Sequence, residues 1–306
     1  MVENAPLLVA AGECMAEVSG PQGARHLGFG GDTLNTALLA SRLLGPRRVA
    51  YMTRLGDDRY SASMMKAWAD EEIDTTLVEV VPGETVGLYV IETEPGGDRS
   101  FTYWRRSAPA RGLMTEGNWQ QRIEAIAHAP AVYVSGITLA VLPATGRRRL
   151  IEALGKARAA GALVAVDPNY RPRLWSAEDA RPWIADAYRT ACLVLTSADE
   201  EEVLFGPGDP FLRLSEFGVR VGVLKGGSGV VRMMDENGIS ERPPLPGPPP
   251  IDTTGAGDAF NAGFLATLIA KRSESDALSA GLDLASTTIQ HTGAIPPRDA
   301  MVECPH

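Results

Sequence analysis

Short apolar runs punctuate the chain: Leu7-Leu-Val-Ala-Ala11, Val49-Ala-Tyr-Met52, Val132-Tyr-Val134, Leu163-Val-Ala-Val166, Cys192-Leu-Val-Leu195 and residues 219–224. Runs of this length, set off by Gly, Pro or Asp, read as strands buried on both faces. Between them, apolar residues recur every three to four positions over 33–44, 61–72, 146–160 and 256–270, as in helices that bury one stripe. Strands alternating with helices predict an α/β fold, a mainly parallel sheet covered by helices on both faces.

One stretch departs from that alternation. Residues 85–93 and 100–105 are two β-rich runs joined by Glu94-Pro-Gly-Gly-Asp98, a turn-forming sequence with no helix between them. This predicts a hairpin. A hairpin inserted early in an α/β chain serves as a lid over a site or as an oligomer contact, and otherwise extends the edge of the main sheet; the lid is favoured. The proline-rich run Arg242-Pro-Pro-Leu-Pro-Gly-Pro-Pro-Pro250 resembles an interdomain linker. The remainder, 251–306, is short for an independent domain, so a stiff surface crossing is expected.

A length of 306 residues with 44% hydrophobic content supplies a sizeable core for a domain that folds alone. The formal charge of -9 argues against a phosphate-backbone footprint, so no nucleic-acid partner is expected. Cys14, Cys192 and Cys304 are far apart, and the histidines are scattered, so neither a disulfide framework nor a zinc site is indicated. No basic leader precedes the first apolar run and no window approaches the roughly 20 apolar residues of a membrane span. A soluble, cytoplasmic protein with no membrane partner is the expectation.

The strongest chemical signal is Asp252-Thr-Thr-Gly-Ala-Gly-Asp258, which opens a helix marked by Phe260, Phe264 and Leu268. Glycines let the backbone approach a ligand, and unpaired amides at a helix start favour anionic oxygens. Gly255, Ala256 and Gly257 therefore form a candidate anion hole. Asp258 beside it could take a proton from a substrate hydroxyl, although a helix-dipole partner would also be acidic there. Near the N-terminus, Gly28-Phe-Gly-Gly-Asp-Thr-Leu-Asn35 precedes another helix. Asp32 reads as an N-cap, Gly30 and Gly31 allow close approach of a small ligand, and Asn35 offers a donor and an acceptor to hydroxyls. No P-loop and no early Gly-x-Gly-x-x-Gly is present, which weakens P-loop and dehydrogenase readings.

Together, Gly30-Gly-Asp-Thr-Leu-Asn35 and Asp252-Thr-Thr-Gly-Ala-Gly-Asp258 resemble the two signature regions of ribokinase-like (PfkB) carbohydrate kinases. The likeness runs over nearly the whole chain. It includes Gly12-Glu-Cys-Met15, Arg54-Leu-Gly-Asp-Asp58, Lys225-Gly-Gly-Ser-Gly229 and Gly293-Ala-Ile-Pro-Pro-Arg298. Within the family, Phe101-Thr-Tyr-Trp-Arg105, Ser135-Gly-Ile137 and Asp167-Pro-Asn-Tyr-Arg-Pro-Arg-Leu-Trp175 resemble members that act on 2-keto-3-deoxygluconate.

The resemblance implies a single ribokinase-like domain over 1–306, with a β-lid from about 14–29 and 83–106 that also joins subunits of a homo-oligomer. It implies ATP and Mg2+ as cofactors and a sugar acid as acceptor, phosphorylated with Asp258 as base. On the acceptor side it places Gly30, Gly31, Asp32, Asn35, Tyr89, Tyr103, Arg105, Ile137 and Arg171, the arginines meeting the carboxylate as planar forks. On the nucleotide side it places Ser197, Lys225, Gly227, Gly229 and His291. Where the family often carries Asn-x-x-Glu, this chain reads Ser197-Ala-Asp-Glu200; Glu200 is implied to meet Mg2+ through water. Asp252, with the carbonyls around Thr253, is where some family members hold a monovalent cation such as K+. A neutral-sugar kinase, or a non-catalytic sugar-binding protein of this fold, are the alternatives.

Overall fold

The structure, a computed structural model, describes residues 5–20, 24–93, 99–227 and 229–301. The turn at 94–98, Ser228 and Cys304 lie outside them. The chain runs β1 (Leu8–Ala11), β2 (Met15–Ser19), β3 (His26–Gly30), α1 (Asp32–Leu44), β4 (Val49–Gly56), α2 (Arg59–Asp70) and β5 (Val78–Val81). It continues with β6 (Leu88–Thr93), β7 (Arg99–Trp104), α3 (Trp119–His128), β8 (Ala131–Ser135), α4 (Gly136–Val141), α5 (Ala144–Ala159) and β9 (Leu163–Asp167). Then come α6 (Ala177–Thr190), β10 (Leu193–Ser197), α7 (Ala198–Phe205), α8 (Pro210–Glu216), β11 (Val221–Lys225), β12 (Val231–Asp235), β13 (Gly238–Arg242), α9 (Ala256–Ile269) and α10 (Glu274–Thr288).

Among the described residues the main sheet has nine strands in the order β13-β12-β11-β10-β9-β8-β1-β4-β5. It is parallel from β11 to β5, and β12 and β13 add antiparallel pairs at one edge. All six apolar runs become strands here. Their continuous hydrophobicity has a direct cause: successive residues feed opposite cores. Leu8, Ala10, Tyr51, Tyr133, Ala165 and Leu195 pack with α1, α2, α9 and α10. Val9, Ala11, Met52, Val132, Val134 and Val166 pack with residues of α3 to α8.

The β-rich hairpin does not extend this sheet. β6 and β7 pair antiparallel, β2 pairs parallel with β6 and antiparallel with β3, and the four make a separate sheet in the order β3-β2-β6-β7. The proline-rich run is an exposed, irregular crossing between β13 and the loop before α9. No helix of the described residues is long and apolar enough to cross a membrane.

Phe260 and Phe264 are buried as their spacing predicts, but so is every residue from Ala259 to Thr267. Gly263 lets α9 approach α10 closely, since a Cβ there would meet the Ala280 carbonyl at 2.5 Å. Asp58 caps α2 by accepting from the amides of Tyr60 and Ser61 and also accepts from the Val86 amide at 2.9 Å.

Candidate active site

The carboxyl ends of the parallel strands deliver the polar residues. Glu13 follows β1, Ile137 follows β8, and Asp167, Ser197 and Lys225 end β9, β10 and β11. The connections run from β1 towards β4 and β5 on one side and through β8 to β11 on the other. The crevice at such a reversal is where open α/β sheets bind ligands.

Two helix starts meet over it. Asn35, in α1, donates to the Asp258 carboxylate at 2.8 Å, and the Thr36 hydroxyl donates to the Asp258 carbonyl at 3.2 Å. The Asp258 carboxyl is pushed up to about 8, chiefly by burial and then by the Asp32 charge, with Asp167 adding; Asn35 and Lys225 oppose the shift. A carboxyl that titrates near neutrality in a cleft is matched to proton transfer.

Gly255 precedes α9 in the left-handed region, at φ 74°, and a Cβ there would lie 2.5 Å from the Ala294 Cβ. No side chain caps α9. The Ala256 amide donates to the Thr253 carbonyl at 3.3 Å, and helical bonding begins with Ala259 to Gly255. The amides of Gly257 and Asp258 thus stand at the positive end of the helix, ahead of its first helical bond. Lys225 Nζ lies 3.8 Å from the place a Gly257 Cβ would take.

Lys225 also donates to Asp167 at 2.6 Å. Burial works against its charge, but Asp167 and Glu200 outweigh that and leave its pKa raised. Asp167 further accepts from the Asn261 amide at 2.6 Å and from the Asn169 backbone at 2.9 Å. Lys225, Asp167, Asn261, Asn169 and Asp32 are thus linked by hydrogen bonds beside the start of α9.

Residues 6–301 match the model of the pfkB family carbohydrate kinases. The chain belongs to that family. It is 39% identical over 304 residues to a 2-dehydro-3-deoxygluconokinase of Escherichia coli K12, the match covering 96% of this chain and 98% of the relative. A PfkB protein from Polaromonas superposes with a TM-score of 0.81 at 25% identity, covering 95% of this chain and 97% of that one. An E. coli protein solved in complex with ATP and Mg2+ superposes with a TM-score of 0.81 at 17% identity over 94% of each chain. The protein is a sugar kinase with a ribokinase-like fold.

The other residues expected of a PfkB kinase fall as follows. Asp32 is not the N-cap; Gly31 is, because the chain leaves β3 extended and Asp32 already begins the helix. The Asp32 carboxylate instead accepts from Asn169 at 2.7 Å. Gly31 packs on Glu13, whose carbonyl would stand 2.3 Å from a Cβ, and Gly30 packs under the Tyr89 hydroxyl. Tyr89 and Tyr103 are opposite in β6 and β7 and stack at 5.8 Å. Tyr89 donates to Glu17, and Arg105 is paired with buried Glu13. Ile137 is partly buried in the first turn of α4.

Arg171 is exposed and donates to the neighbouring Tyr170 carbonyl at 3.3 Å. Ser197 caps α7 and donates to Glu200 at 3.1 Å, and the Tyr170 amide fills the other Glu200 oxygen at 2.8 Å. Burial, reinforced by Asp167, raises the Glu200 pKa. With each oxygen already holding a donor, Glu200 keeps lone pairs suited to water. No group of three or more His, Cys, Asp or Glu among the described residues could hold a metal ion. Gly227, at φ 58°, and Gly229 turn the chain after β11, where Gly229 donates to Gly226. Asp252 accepts from the Thr254 and Gly293 amides, tying the cradle loop to the 293 loop, and the His291 ring nitrogen lies 3.0 Å from the Thr287 carbonyl.

Sequence reasoning named neither Asp167, Asn169 and Asn261 nor Glu13 and Glu17 as site residues. Asn261 carried a usable signal. An asparagine within the apolar stretch 259–268 is a buried amide that needs partners, and here they are Asp167 and Tyr133.

Proposed function

We propose that this kinase transfers the γ-phosphoryl group of ATP to the terminal hydroxyl of 2-keto-3-deoxygluconate, with Asp258 as general base. The observation that carries the base assignment is the Asn35–Asp258 contact, which sets a carboxyl titrating near neutrality beside the α9 cradle. The full-length likeness to the E. coli 2-dehydro-3-deoxygluconokinase supports the acceptor.

In this mechanism Asp258 accepts the hydroxyl proton, while Asn35 keeps its carboxylate aimed. The Gly257 and Asp258 amides and Lys225 stabilise the charge of the transferring group. ATP brought in with Mg2+ supplies the phosphoryl group, Glu200 would meet the metal through water, and Asp252 with the carbonyls near Thr253 would meet a monovalent cation. Arg105 and Arg171 would hold the acceptor carboxylate, and the β3-β2-β6-β7 sheet would cover it.

A coupled ATP-consumption assay over neutral sugars and 2-keto-3-deoxy acids tests the acceptor; turnover confined to neutral sugars would refute it. For the base, Asp258→Asn should lower kcat by about 10²–10⁴-fold. Near-normal phosphorylation by that variant would remove Asp258 from the mechanism.

A further inference from the structure

Arg105 does not stand alone at the acceptor side. Its guanidinium is held by Glu13, whose side chain is 1% exposed, and it sits 5.7 Å from the Tyr103 ring. Glu13 Oε1 and Arg105 Nε are both buried without a hydrogen-bond partner. Removing a carboxylate from water and leaving one oxygen unmatched is costly, and an apolar pair of the same volume would serve stability as well or better. A stability role therefore does not account for the pair.

Its place in the fold does. Glu13 lies in the tight link between β1 of the main sheet and β2 of the small one, with Gly31 pressed on its backbone. Glu13 is thus fixed against the start of α1, where Asp32 and Asn35 reside. Arg105 comes from the far end of the hairpin, just past β7. Glu17 does the same for Tyr89 across the β2–β6 pairing.

We infer that Glu13 is a specificity-determining positioning residue, which holds the Arg105 guanidinium over the acceptor pocket so that it meets the carboxylate of a sugar acid. The inference rests on the proposed sugar-acid acceptor. Glu13 touches no reacting atom. It acts through Arg105, and its removal should cost acceptor recognition rather than chemistry.

The test is a double-mutant cycle of Glu13→Gln and Arg105→Gln, measuring kcat and KM for 2-keto-3-deoxygluconate and KM for ATP. Alone, E13Q should raise the acceptor KM about tenfold, the loss of one aimed charge-assisted contact, with kcat and the ATP KM changed less than about threefold. In the R105Q background the same change should do nothing further. An unchanged acceptor KM in E13Q, or full additivity in the double variant, overturns the inference. Equal rises in both KM values with a lowered melting temperature would show a merely structural role and also overturn it. Should E13Q fail to fold, Glu13→Asp, one methylene short, reads the same KM split. Wild-type enzyme inactive on keto acids would instead strike the acceptor assignment, so the two failures are distinct.

Discussion

At the scale of the residue, Asp258 carries the clearest consequence. With its carboxyl pushed up to about 8, the folded protein binds a proton there that the unfolded chain releases at the ordinary aspartate value near 4. Two outcomes follow. With Asp258 as the proposed base, the rate under kcat/KM conditions should climb with pH towards a plateau above about 8, because only the ionised carboxylate accepts a proton. Stability should move the other way, falling as pH rises from about 4 through about 8, since the native state is the one holding the extra proton. Asp258→Asn should flatten that fall, so that melting temperatures at pH 5 and pH 9 differ less than in wild type. Larger pH sensitivity in the variant would contradict the assignment. Asp258 itself was legible from its glycine-rich setting, whereas its neighbours Asp167 and Asn169 were not. They lie far from it in the chain and near it only because β9 ends beside α1 and α9.

At the scale of the element, the start of α9 shows how a loop sequence sets the backbone of a proposed anion cradle. Gly255 is needed twice, for its left-handed backbone and for its contact with Ala294. Gly255→Ala should cost at least about 1–2 kcal/mol from the backbone alone, read as a lowered melting temperature, and should raise the KM for ATP by shifting the 257 and 258 amides. An unchanged KM would separate the cradle from the nucleotide. Helix and strand positions were read from periodicity because each run is either apolar throughout or apolar on one stripe. Capping was read less well: Asp32 looked like an N-cap by residue type, yet Gly31 takes that position and leaves the carboxylate for Asn169. Residue preference describes an isolated helix end, and here a tertiary partner prevailed.

At the scale of the whole molecule, the main sheet was legible and the small one only in half. The hairpin announced itself through its turn, whereas β2 and β3, short and with β3 largely exposed, show no pattern of their own and were expected within 14–29 only from the family resemblance. The small sheet meets the rest of the molecule through the Glu13–Arg105 pair, the Arg173 guanidinium donating to the Phe101 carbonyl at 3.1 Å, and apolar packing of Ala16, Phe29 and Leu88 on the core beside α1 and α2. If the small sheet covers the acceptor, keto-acid binding should slow amide hydrogen exchange across 88–104 while leaving β8 to β10 unaffected, and equal protection everywhere would argue against a moving cover. The division of each central strand between two cores has a genetic counterpart. Replacing Val132 or Val134 by another aliphatic residue alters one side of the sheet, but gaining or losing a single codon within β8 would turn every later residue of the strand to the wrong side at once. In the parallel strands, then, reading-frame-preserving insertions should be purged from this gene far more completely than substitutions, and the surviving length variation should collect in surface crossings such as the proline-rich run.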